Sequence, residues 1–72
     1  MFEDHTISFI GGGNMAEAMI KGILNRELID PQRVIASDPR VERGEELTEA
    51  YGICFTTDNS EAADFGEIVV LS

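Results

Sequence analysis

The chain has little with which to cross-link itself or to grip a polyanion. Its 72 residues include one cysteine, Cys54, and one histidine, His5. A lone cysteine excludes an intrachain disulfide framework and a thiolate metal cluster, and fits a reducing compartment. Set in an apolar stretch, Cys54 is expected to pack in the core. His5 has no Cys, His or acid at ligand spacing and reads as a solvated residue before the first strand, so no metal site is expected. Lys and Arg together number 5 against 14 Asp and Glu, a formal charge of −9. Such a balance argues against nucleic acid or an anionic membrane surface as partner, though one or two cations can still serve a single phosphate. No apolar run approaches the length of a membrane span, and the opening Met1-Phe2-Glu3-Asp4-His5 is acidic without a signal-like hydrophobic region. The expected location is cytoplasmic.

Length is also in short supply. A chain of this size buries only about 60% of its unfolded surface and forms one small core. The final Ile68-Val69-Val70-Leu71-Ser72 still reads as a buried strand. The expectation is therefore a fragment of a larger protein, the first half of a two-halved nucleotide-binding domain.

What is present centres on Thr6-Ile7-Ser8-Phe9-Ile10 followed by Gly11-Gly12-Gly13-Asn14-Met15-Ala16. An apolar, β-branched run passes into three glycines and then directly into a helical pattern, which is strand, tight turn, helix. The turn reads G-x-G-x-x-A. In a dinucleotide-binding unit the Gly11 position lets the chain leave the strand sharply, Gly13 removes a Cβ that would block a pyrophosphate, and Ala16 lets the helix lie close on the sheet. Backbone N–H groups from Gly12 to Met15 are expected to face the phosphates at the positive end of the helix. A glycine-rich turn required only for packing would account for one glycine more easily than for three.

The helix is expected over residues 14–26, with Ala16, Met19, Ile20, Ile23 and Leu24 as its apolar stripe. Met15 and Met19 read as packing residues. Asp30-Pro31 signals a short helical turn with Asp as cap, and Val34-Ile35-Ala36-Ser37 a second strand. Asp38-Pro39-Arg40 follows at the place where such folds meet the adenosine ribose: an acid takes the 2′-hydroxyl of NADH, and an Arg can take the 2′-phosphate of NADPH. Asp38 follows Gly13 by about 25 positions, beyond the usual spacing, because the loop over residues 27–32 is long. Asp before Pro is also how a helix is capped, and both roles stay open. A second helix over residues 39–51 would turn Gly44, Leu47, Thr48 and Tyr51 inward and its glutamates to water, and would end at Gly52. A third strand over 53–56, a short helix capped by Asp58 and a fourth strand over 67–71 complete the pattern. Alternating strands and helices with short connections imply a parallel sheet with right-handed crossovers. The fold class is α/β, the first half of a Rossmann-type doubly wound sheet with strand order 3-2-1-4. The ligand would lie at the carboxyl edge beside the switch between strands 1 and 4.

Over nearly its whole length the chain resembles the N-terminal region of pyrroline-5-carboxylate reductase. The matching stretches are Ile7-Ser8-Phe9-Ile10-Gly11-Gly12-Gly13-Asn14-Met15-Ala16-Glu17-Ala18-Met19-Ile20-Lys21-Gly22, then Ala36-Ser37-Asp38-Pro39, then Thr57-Asp58-Asn59. The resemblance implies the cofactor-binding part of an oxidoreductase that reduces 1-pyrroline-5-carboxylate to L-proline with NADPH or NADH, the last step of proline biosynthesis. It implies that Ile10, Gly11, Gly12, Gly13, Asn14 and Met15 form the pyrophosphate turn, and that Ser37, Asp38 and Arg40 lie at the adenosine ribose. It also implies that Asn59 faces the cofactor and that Ser72 begins the next cofactor loop. The family often has a neutral or phosphate-friendly residue where this chain has Asp38. Substrate binding and homo-oligomer formation belong in that family to a C-terminal helical domain, so no catalytic residue is expected within these 72, and the fragment alone is expected to be inactive. Two other readings stay open: the NAD(P)-binding part of a prephenate or hydroxy-acid dehydrogenase, and a non-enzymatic NAD(P)-binding module.

Overall fold

The computed structural model describes residues 5–71. Four strands, β1 (Ile7–Ile10), β2 (Val34–Ser37), β3 (Cys54–Thr56) and β4 (Ile68–Leu71), alternate with α1 (Asn14–Asn25), α2 (Val41–Tyr51) and α3 (Asn59–Phe65). All pairings are parallel and the order across the sheet is β3-β2-β1-β4. This is the Rossmann-type half-sheet that the alternation of elements implies. The register aligns Ile10 with Ser37 on one side and with Leu71 on the other, so the carboxyl ends of three strands lie level. Among the described residues no helix is long and apolar enough to cross a membrane.

Strand alternation sends successive side chains to opposite faces. Ile7, Phe9, Val34 and Ala36 join Ala16 and Ile20 of α1, Leu47 of α2, and Ile29 and Ile53 in one buried cluster. Ser8 points to the other face, where its hydroxyl donates to the Ala62 carbonyl of α3. The two central strands, β1 and β2, are thus covered on both faces. α2 approaches β3 so closely that a Cβ on Gly44 would fall 2.1 Å from the Phe55 ring.

Local signals account for most element ends. Asp30 caps a 3-10 turn over Pro31–Arg33 by accepting the Gln32 N–H. Gly52 closes α2 in the left-handed region with φ 73°. Asp58 caps α3 by accepting the N–H groups of Ser60 and Glu61.

Several expectations need correction. α2 begins at Val41 rather than Pro39, because the Asp38 carboxylate accepts the Arg40 N–H and holds Pro39 outside the helix. Thr48 is exposed, its hydroxyl bonding back to carbonyls of its own helix. Met15 and Met19 are exposed rather than packed. Cys54 is only half-buried, and its neighbour Ile53 takes the core position. β4 has the composition of a buried strand, yet it leaves Val69 45% and Leu71 81% exposed, the under-coverage expected for a last strand without a further neighbour.

Candidate functional site

The site is built where β1 and β2 end. Gly11 leaves β1 with φ 103°, a backbone region that L side chains rarely adopt, and its N–H donates to the Ser37 carbonyl at 2.8 Å. The adjoining Gly12 is buried among side chains from the β2–α2 segment. A Cβ there would meet Asp38, Leu47 and Arg43 at 3.3–3.5 Å. Gly13 differs from both: its backbone is extended, and a Cβ built on it would meet nothing within 4 Å. Gly13 is the N-cap of α1, and no side chain caps that helix end. The first N–H groups of a helix have no partner within it, and they carry the positive end of its dipole. Glu17 N–H is the first to close back, on the Gly13 carbonyl at 3.0 Å.

Gly12 does not belong to that set of amides. Its N–H donates to Oδ2 of Asp38 at 3.2 Å, so Gly12, expected among the phosphate-facing amides, has its N–H engaged within the protein. The turn after β1 is thereby latched to the turn after β2.

Asp38 is buried and fully engaged. Oδ1 accepts the Arg40 N–H at 2.9 Å and its Nε–H at 2.8 Å; Oδ2 accepts Arg40 Nη2 at 2.9 Å and the Gly12 N–H. Arg40, chiefly through its guanidinium hydrogen bonds, holds the Asp38 carboxyl well below its usual range, against the opposing effect of burial; the backbone N–H groups of Arg40 and Gly12 act in the same direction. The Arg40 side chain stays 60% exposed. It spends two guanidinium donors on Asp38, which leaves three of the five.

Ser37 is wholly buried and its hydroxyl donates to Oδ1 of Asn59 at 2.7 Å. It fixes the side chain at the start of α3 and shows no surface of its own. Asn59 is exposed at the N-terminus of α3, and its amide nitrogen remains to donate. Ile10 ends β1 beside these groups, and Met15 stands 70% exposed on the first turn of α1. Ser72 lies outside the described residues. The structure thus brings Gly11–Met15, Asp38, Arg40, Ser37 and Asn59 to one edge, where the side-chain bonds form two sets, Asp38 with Arg40 and Gly12, and Ser37 with Asn59.

Sequence reasoning missed Arg43. From the first turn of α2 its guanidinium reaches the carbonyls of Gly12 and Gly13 and the carboxylate of Glu17, and Glu17 also accepts the Tyr51 hydroxyl. The signal was available: Arg43, Leu47 and Tyr51 recur every four residues on one stripe, so a cation occupies the inward face.

The family model described as NADP oxidoreductase, coenzyme F420-dependent, matches residues 6–72. Pyrroline-5-carboxylate reductase of Corynebacterium melassecola is 42% identical over 66 residues, covering 92% of this chain and 24% of that protein. A solved pyrroline-5-carboxylate reductase from Coxiella burnetii superposes with a TM-score of 0.88 at 32% identity, over 94% of this chain and 25% of that one. Pyrroline carboxylate reductase of Plasmodium falciparum, solved with NADP bound, shares the fold at 23% identity and a TM-score of 0.78, over 97% of this chain and 24% of that one. The chain spans about a quarter of the length of the relatives it matches.

Proposed function

The chain belongs to the family described as NADP oxidoreductase, coenzyme F420-dependent, and from that premise we propose that it is the dinucleotide-binding part of a pyrroline-5-carboxylate reductase. The carrying observation is Gly13: open space where a Cβ would stand, at an uncapped helix N-terminus on the carboxyl edge of a parallel sheet. That arrangement fits a pyrophosphate, which the Gly13, Asn14 and Met15 amides would hold, with Ile10 and Gly11 shaping the approach.

Arg40 and Asp38 would flank the adenosine ribose. The four acceptor positions of Asp38 are filled from within the protein, so a ribose hydroxyl could bond to it only by displacing Arg40. The outward donors of Arg40 need no displacement, which favours NADPH through its 2′-phosphate, with Asp38 as tether. Asn59, set by Ser37, would meet the cofactor from the α3 side, and Ser72 would continue that wall. When bound, the nicotinamide supplies the hydride that reduces 1-pyrroline-5-carboxylate to L-proline. This chain contributes binding and orientation. Substrate binding and homo-oligomer assembly are assigned to a C-terminal helical domain of the longer protein, and the cytoplasm to its location.

The test is a fluorescence titration of the purified chain with NADPH and NADH, repeated with Arg40→Ala and Asp38→Ala. Tighter NADPH binding that Arg40→Ala equalises supports the reading. An NADH advantage that Asp38→Ala erases would make Asp38 a ribose ligand instead, and no binding of either cofactor would defeat the dinucleotide reading.

A further inference from the structure

The dinucleotide reading uses the outward side of the glycine turn, whereas the inward side is gripped by Arg43, which that reading leaves without a role. The Arg43 side chain is 14% exposed. Its Nε donates to the Gly12 carbonyl, and its Nη2 donates to the Gly13 carbonyl at 3.4 Å and to Oε1 of Glu17 at 2.6 Å. Nη1 stands 3.6 Å from Glu46. The other oxygen of Glu17 accepts the Tyr51 hydroxyl at 2.7 Å. Tyr51 first and Arg43 second hold the Glu17 carboxyl below its usual range, so it stays ionised against the guanidinium.

Planar peptide geometry converts this grip into an orientation. In a trans peptide the C=O and the following N–H point in opposite directions. Fixing the Gly12 carbonyl toward Arg43 therefore turns the Gly13 N–H away from α2. Fixing the Gly13 carbonyl does the same for the Asn14 N–H. Three successive glycines have too much backbone freedom to hold such an arrangement unaided, and no side chain caps α1. Arg43 has little left for a ligand, because Nε and Nη2 are engaged and Nη1 faces Glu46. The two glutamates also offset its charge, so its contribution is geometry rather than net attraction.

We propose that Arg43 is a positioning residue of the phosphate turn, aiming the Gly13 and Asn14 amides at the pyrophosphate, with Glu17 and Tyr51 fixing its guanidinium. The inference rests on the dinucleotide reading.

The test uses the whole chain, with Arg43→Lys, which keeps the charge and loses the fork, and with Tyr51→Phe as a milder release. NADPH affinity is measured where far-UV circular dichroism shows each variant folded. The ¹H–¹⁵N heteronuclear NOE, which reports fast backbone motion, is measured without cofactor. Ile29→Ala, a core truncation beyond the far end of α1, is the control for lost stability. Arg43→Lys is expected to weaken NADPH binding about tenfold or more and to lower the NOE at Gly12, Gly13 and Asn14 alone. Tyr51→Phe should do the same to a smaller degree, and Ile29→Ala should lower the thermal midpoint while leaving both readouts unchanged. Should Arg43→Lys not fold, Tyr51→Phe decides by the same two readouts, and no change in either overturns the inference. A parent chain that binds beside an Arg43→Lys variant that binds equally well, or keeps a parental NOE at the turn, overturns the Arg43 inference alone. A parent chain that binds neither cofactor overturns the dinucleotide reading, and the pyrophosphate role of Arg43 with it.

Discussion

Replacing Gly13 by alanine should separate folding from binding. Gly13 has φ −77° and ψ −172°, ordinary extended backbone that alanine adopts freely, and its Cβ would enter open space. Two opposing effects act on stability. Loss of glycine's freedom in the unfolded chain stabilises by about 0.4–1 kcal/mol, while alanine is a poorer N-cap residue than glycine by roughly the same amount. The net change should stay within about 1 kcal/mol, and the thermal midpoint should move by no more than about 4–8 °C for a domain of this size. Binding should respond very differently. The methyl group would stand where the pyrophosphate approaches and separate it from the Gly13 and Asn14 amides. Hydrogen bonds to charged groups contribute about 1.5–3 kcal/mol each, so losing two costs about 3 kcal/mol or more, a roughly hundredfold weaker NADPH affinity. Calorimetric melting and a fluorescence titration on the same sample measure both. A Gly13→Ala chain that binds like the parent would refute the turn as phosphate site, and one that fails to fold would refute the open space at Gly13.

Gly44→Ala should behave in the opposite way, since its Cβ would lie 2.1 Å from the Phe55 ring. Overpacking of this kind costs about 1–3 kcal/mol, so denaturant unfolding should shift clearly while cofactor affinity of the folded protein is kept. Asp38→Ala leaves the buried Gly12 N–H without its acceptor, a loss of about 1–3 kcal/mol, and a variant as stable as the parent would count against the latch. Asp38 also gives stability a pH signature: its folded pKa lies below the reference 3.8, so the carboxylate stabilises the fold above that value and loses its effect as pH falls further. The stability gap between parent and Asp38→Asn should be flat above about pH 5 and should shrink progressively below about pH 4; a gap as large at about pH 2.5 as at neutral pH contradicts this. Val69→Lys with Leu71→Lys should abolish concentration-dependent self-association through the exposed β4 edge in sedimentation velocity, and a parent chain that is monomeric at every concentration removes that expectation.

The scaffold was legible in the sequence because it is written in local chemistry. β-branched runs, Asp30 before Pro31, Gly52 after Tyr51 and Asp58 before α3 each act within a few residues of where they stand, and the strand order follows from the handedness of the crossovers. The details of the site were less legible because they depend on reach between elements. Nothing near Gly12 in the chain indicates that its N–H belongs to Asp38, 26 residues on. Arg43 stands in a run of glutamates and reads as part of a solvated face until its helical stripe is followed to Leu47 and Tyr51. Met19 fits the apolar periodicity of α1 and is still exposed, since a helix over so small a sheet presents more apolar surface than the sheet can cover.

The peptide unit of Gly12 has a wider consequence. Its N–H is tied to Asp38, its carbonyl to Arg43, and a Cβ on it would stand 3.3 Å from the Asp38 Cβ, tight against the same side chain. The carboxylate that tethers Arg40 therefore also supports the glycine turn. On the proposed dinucleotide reading, exchanging Asp38 to retune the choice between NADPH and NADH would release Arg40 and loosen the glycine turn in the same step, and affinity for both dinucleotides would fall together. A successful conversion would require a second substitution that restores an acceptor for the Gly12 amide, which makes selectivity here a property of a residue pair rather than of one position.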